Sequence, residues 1–313
     1  MTVLVVAMDS ATDVPGSPLP AAAPQVVSQA TVVSLPPRPT RRELKTLDDI
    51  LAQYRPADTG PSLEEIQASN AVPALGIPQR SQLIDVEMRI IVYGDDSFFS
   101  LIVTRLMRRD EHWIEVAYVP TDPASVVAAN FAIPTTSAAA WTLAATGEVH
   151  PIPLIRDDSA NAVVGYATIH RADFREITGE IIVDDTVLLR HEATKRLPRH
   201  GNYGVRLVPM NTAPGIAAAR AITTFDPQGT PGVLRRLFGL TASPTPAGKQ
   251  PPVEYDPATL ATGRALQAGG LELVVTIDGI ARPRPVKRVT FYRHLRDLQL
   301  VRPADPSDDR TAK

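Results

Sequence analysis

MRIIVYGDDS (Met88–Ser97) begins the stretch that decides the fold, and residues 88–131 continue it as FFSLIVTRLMRRDEHWIEVAYVPTDPASVVAANF. One design occurs twice in it. An apolar run, Arg89-Ile90-Ile91-Val92-Tyr93, enters a tight Gly94-Asp95-Asp96-Ser97 turn and leaves as a helix of apolar periodicity. A second run, Trp113 to Val119, enters Pro120-Thr121-Asp122-Pro123 and leaves as another helix. Strand, turn, helix, repeated, is the build of a parallel α/β sheet. Ligands of such sheets sit beyond the carboxyl ends of the strands, so both turns are expected to face one crevice.

Composition narrows what that crevice serves. A formal net charge of −2 gives no general attraction to nucleic acid, and only 5% aromatic residues supply few stacking platforms, so a nucleic-acid partner is not expected. The chain has no cysteine, which removes disulfides and thiolate metal sites. No apolar run reaches the roughly 18 residues of a membrane span, and residues 1–6 lack the basic start of a signal peptide, so the expected location is cytoplasmic. Thirty prolines, about twice the usual share of roughly 5%, announce loops and stiff connectors.

Outward from the central stretch, Val3–Ala7 and Gln29–Leu35 read as strands, with a proline-rich linker at 13–24 between them. Thr40 is placed to cap a helix through Tyr54, and Ser62 with Glu65 opens like a capping box. Downstream, a helix through Ala145 stops at Gly147, and strands are expected over 149–155 and 161–169. Beyond residue 172 the pattern alternates without long helices. The expected division is therefore an α/β part over 1–172, a β-rich part over 173–303 with a proline-rich loop at 242–256, and a frayed tail at 304–313.

The order of these elements resembles the diacylglycerol kinase catalytic domain of bacterial lipid kinases, within the wider fold shared with NAD kinases. That family carries a strand followed by Gly-Gly-Asp-Gly-Thr; here Ile90-Ile91-Val92 is followed by Tyr93-Gly94-Asp95-Asp96-Ser97. Its second loop, Gly-Thr-Gly-Asn-Asp, follows a strand ending in proline and corresponds to Asp122-Pro123-Ala124-Ser125-Val126 after Val119-Pro120. Its final Asp-Gly-Glu turn corresponds to Asp278-Gly279-Ile280. The likeness spans roughly residues 88–169 and 263–303, and it implies that the last strand packs back toward the first part.

It also implies a crevice for ATP with Mg²⁺, a lipid hydroxyl as acceptor, Gly94, Asp95, Asp96, Ser97, Thr121 and Ser125 as nucleotide-binding positions, Asp95 as metal ligand and Asp278 as catalytic candidate. The departures fall at chemistry. Tyr93 and Asp96 replace glycines that let backbone amides approach phosphate, and Asp96 brings a carboxylate toward a like charge. Pro123 removes an amide donor, and Ile280 can neither take a proton nor bind a metal. Ser100 stands where the family often carries an acid. Two functions follow: a catalytically impaired pseudoenzyme acting as a binding or regulatory module for nucleotide, lipid or a protein, or an active ATP-dependent lipid kinase.

Two readings of the acidic pair remain side by side. Asp95 and Asp96 hold Mg²⁺ beside a nucleotide, or Asp96 caps a helix starting at Ser97, the more common fate of such an aspartate. The basic stretches 190–200 and 282–294 suit either a solvated face or contact with anionic lipid, which would make the protein a peripheral membrane partner. The six histidines show no metal-binding spacing.

Overall fold

The computed structural model describes residues 2–9, 27, 30–55, 76–80, 88–195, 198–225 and 253–305. The 13–24 linker, the 62–68 capping box, most of the 242–256 loop and the tail beyond 305 lie outside them.

Four parallel strands form the first sheet in the order β2-β1-β3-β4, with β1 at Thr2–Met8, β2 at Thr31–Leu35, β3 at Met88–Gly94 and β4 at Glu115–Pro120. All seven residues of β3 are buried, the expected state of a central parallel strand covered on both faces. Even Arg89 is enclosed: it bonds the Glu115 carboxylate at 2.8 Å and the carbonyls of Ala144, Ala145 and Gly147. Those carbonyls close a helix over Ser137–Thr146, whose free C-terminal oxygens favour a cation. Four helices are named here: α1 (Leu44–Leu51), α2 (Asp96–Arg108), α3 (Val126–Asn130) and α4 (Ser137–Thr146). The first is shorter than its periodicity suggests, although Thr40 and Glu43 exchange the expected capping bonds.

A second, antiparallel sheet takes eleven strands. It includes β5 (Ile155–Asp157), β6 (Ala162–Val163) and β7 (Ala167–Arg171), so its strands begin well before residue 172. The 161–169 segment is two strands, because residues 164–166 leave the sheet to meet Asp278. Further on come β8 (Gly179–Val183), β9 (Thr186–His191), β10 (Gly204–Pro209), β11 (Ile216–Ala221), β12 (Ala261–Gly263), β13 (Ala265–Ile277), β14 (Ile280–Ala281) and β15 (Val286–Arg293). The long β13 shifts register between Gly269 and Leu273, and so pairs with β8 and β15 in its first half and with β7 in its second.

Each sheet has its own apolar core. The chain end then returns to the first: Leu300 bridges Val116 of β4 in parallel, and Leu298 and Val301 are buried in that core. None of the described helices is long and apolar enough to cross a membrane.

Candidate functional site

The register that pairs Gly94 with Pro120 puts the two predicted turns side by side at the carboxyl ends of β3 and β4. The Thr121 amide donates to the Gly94 carbonyl at 3.0 Å, and the Tyr118 hydroxyl oxygen lies 3.2 Å from the same carbonyl. Gly94 itself is needed for close approach. A Cβ there would lie 2.7 Å from the Phe98 ring, which the following helix turn drives against the strand end.

The two aspartates divide the work differently from the sequence expectation. Asp95, not Asp96, is the N-cap of α2; its Oδ1 accepts from the Phe98 amide at 2.7 Å and from the Ser97 hydroxyl at 2.6 Å. Asp96 is the first helical residue and points across to the second turn. Its Oδ1 accepts from the Ser125 hydroxyl at 2.5 Å and from Tyr118 at 2.9 Å. Its Oδ2 accepts from the amides of Val126 and Val127, at 2.7 and 3.3 Å. One half-buried carboxylate thus satisfies free amides at the start of α3, where a helix end favours negative charge. Ser125 completes that end by accepting from the Ala128 amide at 2.9 Å. Thr121 is exposed.

Tyr93, which stands at a glycine position of the resembled motif, puts its bulk into packing: its ring lies 5.3 Å from Trp141 of α4 in the first core. Buried Tyr118 stacks on Phe99 at 4.4 Å, and burial followed by the Asp96 charge holds its hydroxyl proton well above the usual range. Among the described residues no group of three His, Asp or Glu side chains converges on a point where a metal ion would sit.

The third candidate sits on the second sheet. Asp278, 3% exposed, occupies the turn between β13 and β14 with a left-handed φ of 48°. Its carboxylate accepts three backbone amides: Val164 at 2.9 Å, Gly165 at 2.7 Å and Tyr166 at 2.7 Å. Burial pushes its pKa up to about 6, against the pull of those amides and of the Ser100 hydroxyl. Gly165 is glycine for want of room: a Cβ would stand 2.9 Å from Asp278 Oδ1 and 3.3 Å from the Val127 side chain of α3. Its carbonyl accepts from Asn130 at 2.6 Å. The Asp278 loop is therefore docked on the same helix that Asp96 caps.

Of the seven candidate residues, Asp96, Ser125 and the loop held by Asp278 meet at α3, while Gly94, Asp95, Ser97 and Thr121 stay with the first turn, and the three carboxylates are spent on internal donors. The hydroxyl of Ser125 and the amides of Val126 and Val127, donors at the start of α3, are all taken up by Asp96. Tyr118 and Gly165 were not flagged. A glycine interrupting a strand pattern was the available sign for Gly165; nothing local marks Tyr118.

No family model matches the sequence, and no curated protein matches it by sequence. Solved structures do share its shape. A diacylglycerol kinase from Bacillus anthracis str. Sterne aligns with a TM-score of 0.56 at 10% identity, covering 98% of this chain and 97% of that one. A second structure of the same kind from that organism gives 0.55 at 10% identity, over 98% of both chains. An NAD kinase from Archaeoglobus fulgidus in complex with ATP gives 0.41 at 11% identity, over 100% of this chain and 97% of that one, a score too low to carry an argument. With a parallel sheet, a large antiparallel sheet and a closing strand that returns to the first, the chain has the diacylglycerol kinase fold.

Proposed function

We propose that this protein keeps the diacylglycerol kinase fold without transferring phosphate from ATP, and serves as a binding or regulatory module in the cytoplasm. The supporting observation is the Asp96 carboxylate. Phosphoryl transfer is mostly positioning and charge stabilisation by donors aimed at phosphate oxygens. Here Ser125, Val126 and Val127 give those donors to a carboxylate tethered in place. A phosphate entering would have to displace that group and would meet its charge at short range. Pro123 and Ile280 remove a further amide and a further acid from the same crevice.

The test is transfer of label from γ-labelled ATP, with Mg²⁺, to a lipid extract by the full chain. No labelled lipid is expected. Labelled lipid above the level of a reaction without protein would overturn the reading and establish an active lipid kinase.

A further inference from the structure

Among the described residues, the second sheet carries a cation that stacks on aromatic rings with no acid beside it. Several arginines of this protein that leave the surface are matched to acids: Arg89 to Glu115, Arg220 to Asp256, Arg282 to Asp157 and Arg293 to Asp297. Half-buried Arg206 on β10 is not. Its guanidinium lies over the Tyr166 ring, 4.4 Å from the centroid, and 5.9 Å from that of Tyr255. Tyr255 also hydrogen-bonds it, and among the described residues no carboxylate pairs with it.

Stacking on aromatic rings orients a guanidinium while leaving its in-plane N–H donors available for a planar pair of oxygens. More donors stand in line with it. Arg206 pairs across the sheet with Thr168 of β7, and Thr168 with Thr276 of β13, so the three side chains share one face in one row. Neither threonine hydroxyl has a hydrogen-bond partner among the described residues. Adjacent strands lie roughly 4.8 Å apart, a spacing that places Thr168 on the strand next to Arg206 and Thr276 one strand further on. Beside Arg206, the Tyr166 amide is held by Asp278, and the carbonyl of its neighbour Gly165 accepts from Asn130 of α3.

We infer that Arg206, with Thr168 and Thr276, forms an oxyanion site on the outer face of the second sheet for the phosphate of a small ligand, either a free phosphate or a phospholipid headgroup. Phosphate is favoured over carboxylate by oxygen count. A carboxylate spends both oxygens on the guanidinium, whereas a phosphate keeps a third for the Thr168 hydroxyl. This goes beyond the loss of phosphotransfer proposed above and involves none of the donors that Asp96 holds, so the two can fail separately.

Isothermal titration of the full chain with inorganic phosphate, acetate and monomeric short-chain phosphatidic acid tests it. The expected result is phosphate binding at least about tenfold tighter than acetate, weakened about tenfold or more by Arg206→Gln. Thr168→Val, which removes the hydroxyl at nearly constant volume, should weaken phosphate by about threefold while acetate is unaffected. Arg206→Lys keeps the charge without the planar fork and should also bind more weakly, which preserves the test should the glutamine variant fail to fold. Tighter binding of phosphatidic acid than of phosphate identifies the headgroup as the source, and equal binding identifies free phosphate. No phosphate binding by the wild type, equal binding of acetate, or affinity unchanged in Arg206→Gln or Arg206→Lys overturns the assignment.

Discussion

Asp96 and Asp278 make an instructive pair. Each sits where a strand ends, each corresponds to a motif associated with phosphate chemistry, and each directs its carboxylate at backbone amides of another segment. Their surroundings differ. Asp96 is half-buried and reaches amides at a helix N-terminus, reinforced by two hydroxyls, so its charge is welcome there. Asp278 is enclosed and meets three amides of an irregular loop, and enclosure raises its pKa to about 6. The first carboxylate ties the two turns of the parallel sheet together, and the second holds a loop of its own sheet in the shape that docks on α3. An acid at the end of a strand therefore says little until its partners are known.

Breaking the junction should have the larger effect. Asp278→Ala leaves the amides of residues 164–166 without acceptors, and a loss of about 3 kcal/mol is expected in denaturant unfolding near pH 4. The penalty should depend on pH. Because the folded pKa of about 6 lies above the unfolded value of 3.8, the contribution of Asp278 is fully present below about pH 3.8 and is lost as pH rises through 6. The difference between wild type and variant should shrink by about 2 kcal/mol between pH 4 and pH 8. A difference that grows with pH would show that the amides, not burial, dominate.

His112 sharpens this contrast from the opposite side. Burial first, then the charges of His294 and Arg296, lower its pKa from 6.5 to about 3. Its ring lies 4.7 Å from that of His294. Held neutral in the fold, it stabilises above pH 6.5, and that contribution is lost as pH falls toward 3. His112→Gln should flatten the acid limb of the stability profile over that window, by about 4 kcal/mol; an unchanged limb would argue against enclosure of the ring.

A smaller effect is expected at the first turn. Asp96→Ala frees two amides near the surface, where water can replace the carboxylate, and should cost about 1–2 kcal/mol. Ser125→Ala removes the cap of a short helix and should cost about 1 kcal/mol. Unfolding curves of the two variants and of their combination measure the coupling. Strict additivity would contradict the bond between Asp96 and Ser125.

The central strand-turn-helix doubling was legible because β3 and β4 are apolar runs bounded by turn residues, a local signal. The return of the chain end to the first sheet followed from family resemblance. What stayed hidden was long-range. Asp95 and Asp96 are equally good caps by type, and only the helix start tells which one serves. The reach of Asp96 to Ser125 depends on the parallel register that sets Gly94 opposite Pro120. The 161–169 segment looked like one strand because residues 162–169 are almost all apolar, yet Asp278, more than a hundred residues on, pulls its middle out of the sheet. Arg206 sits in an apolar alternation that gives no hint of the tyrosines beside it.

Whether the Asp96 carboxylate keeps the donors at the start of α3 when a nucleotide is offered can be read at Val126 and Val127. Their backbone amide resonances should stay in place when the full chain is titrated with ATP and Mg²⁺, and should move in Asp96→Ala without any ligand. Movement of both amides in the wild type on adding ATP, to a limit that saturates, would show that phosphate displaces Asp96 and would contradict the account.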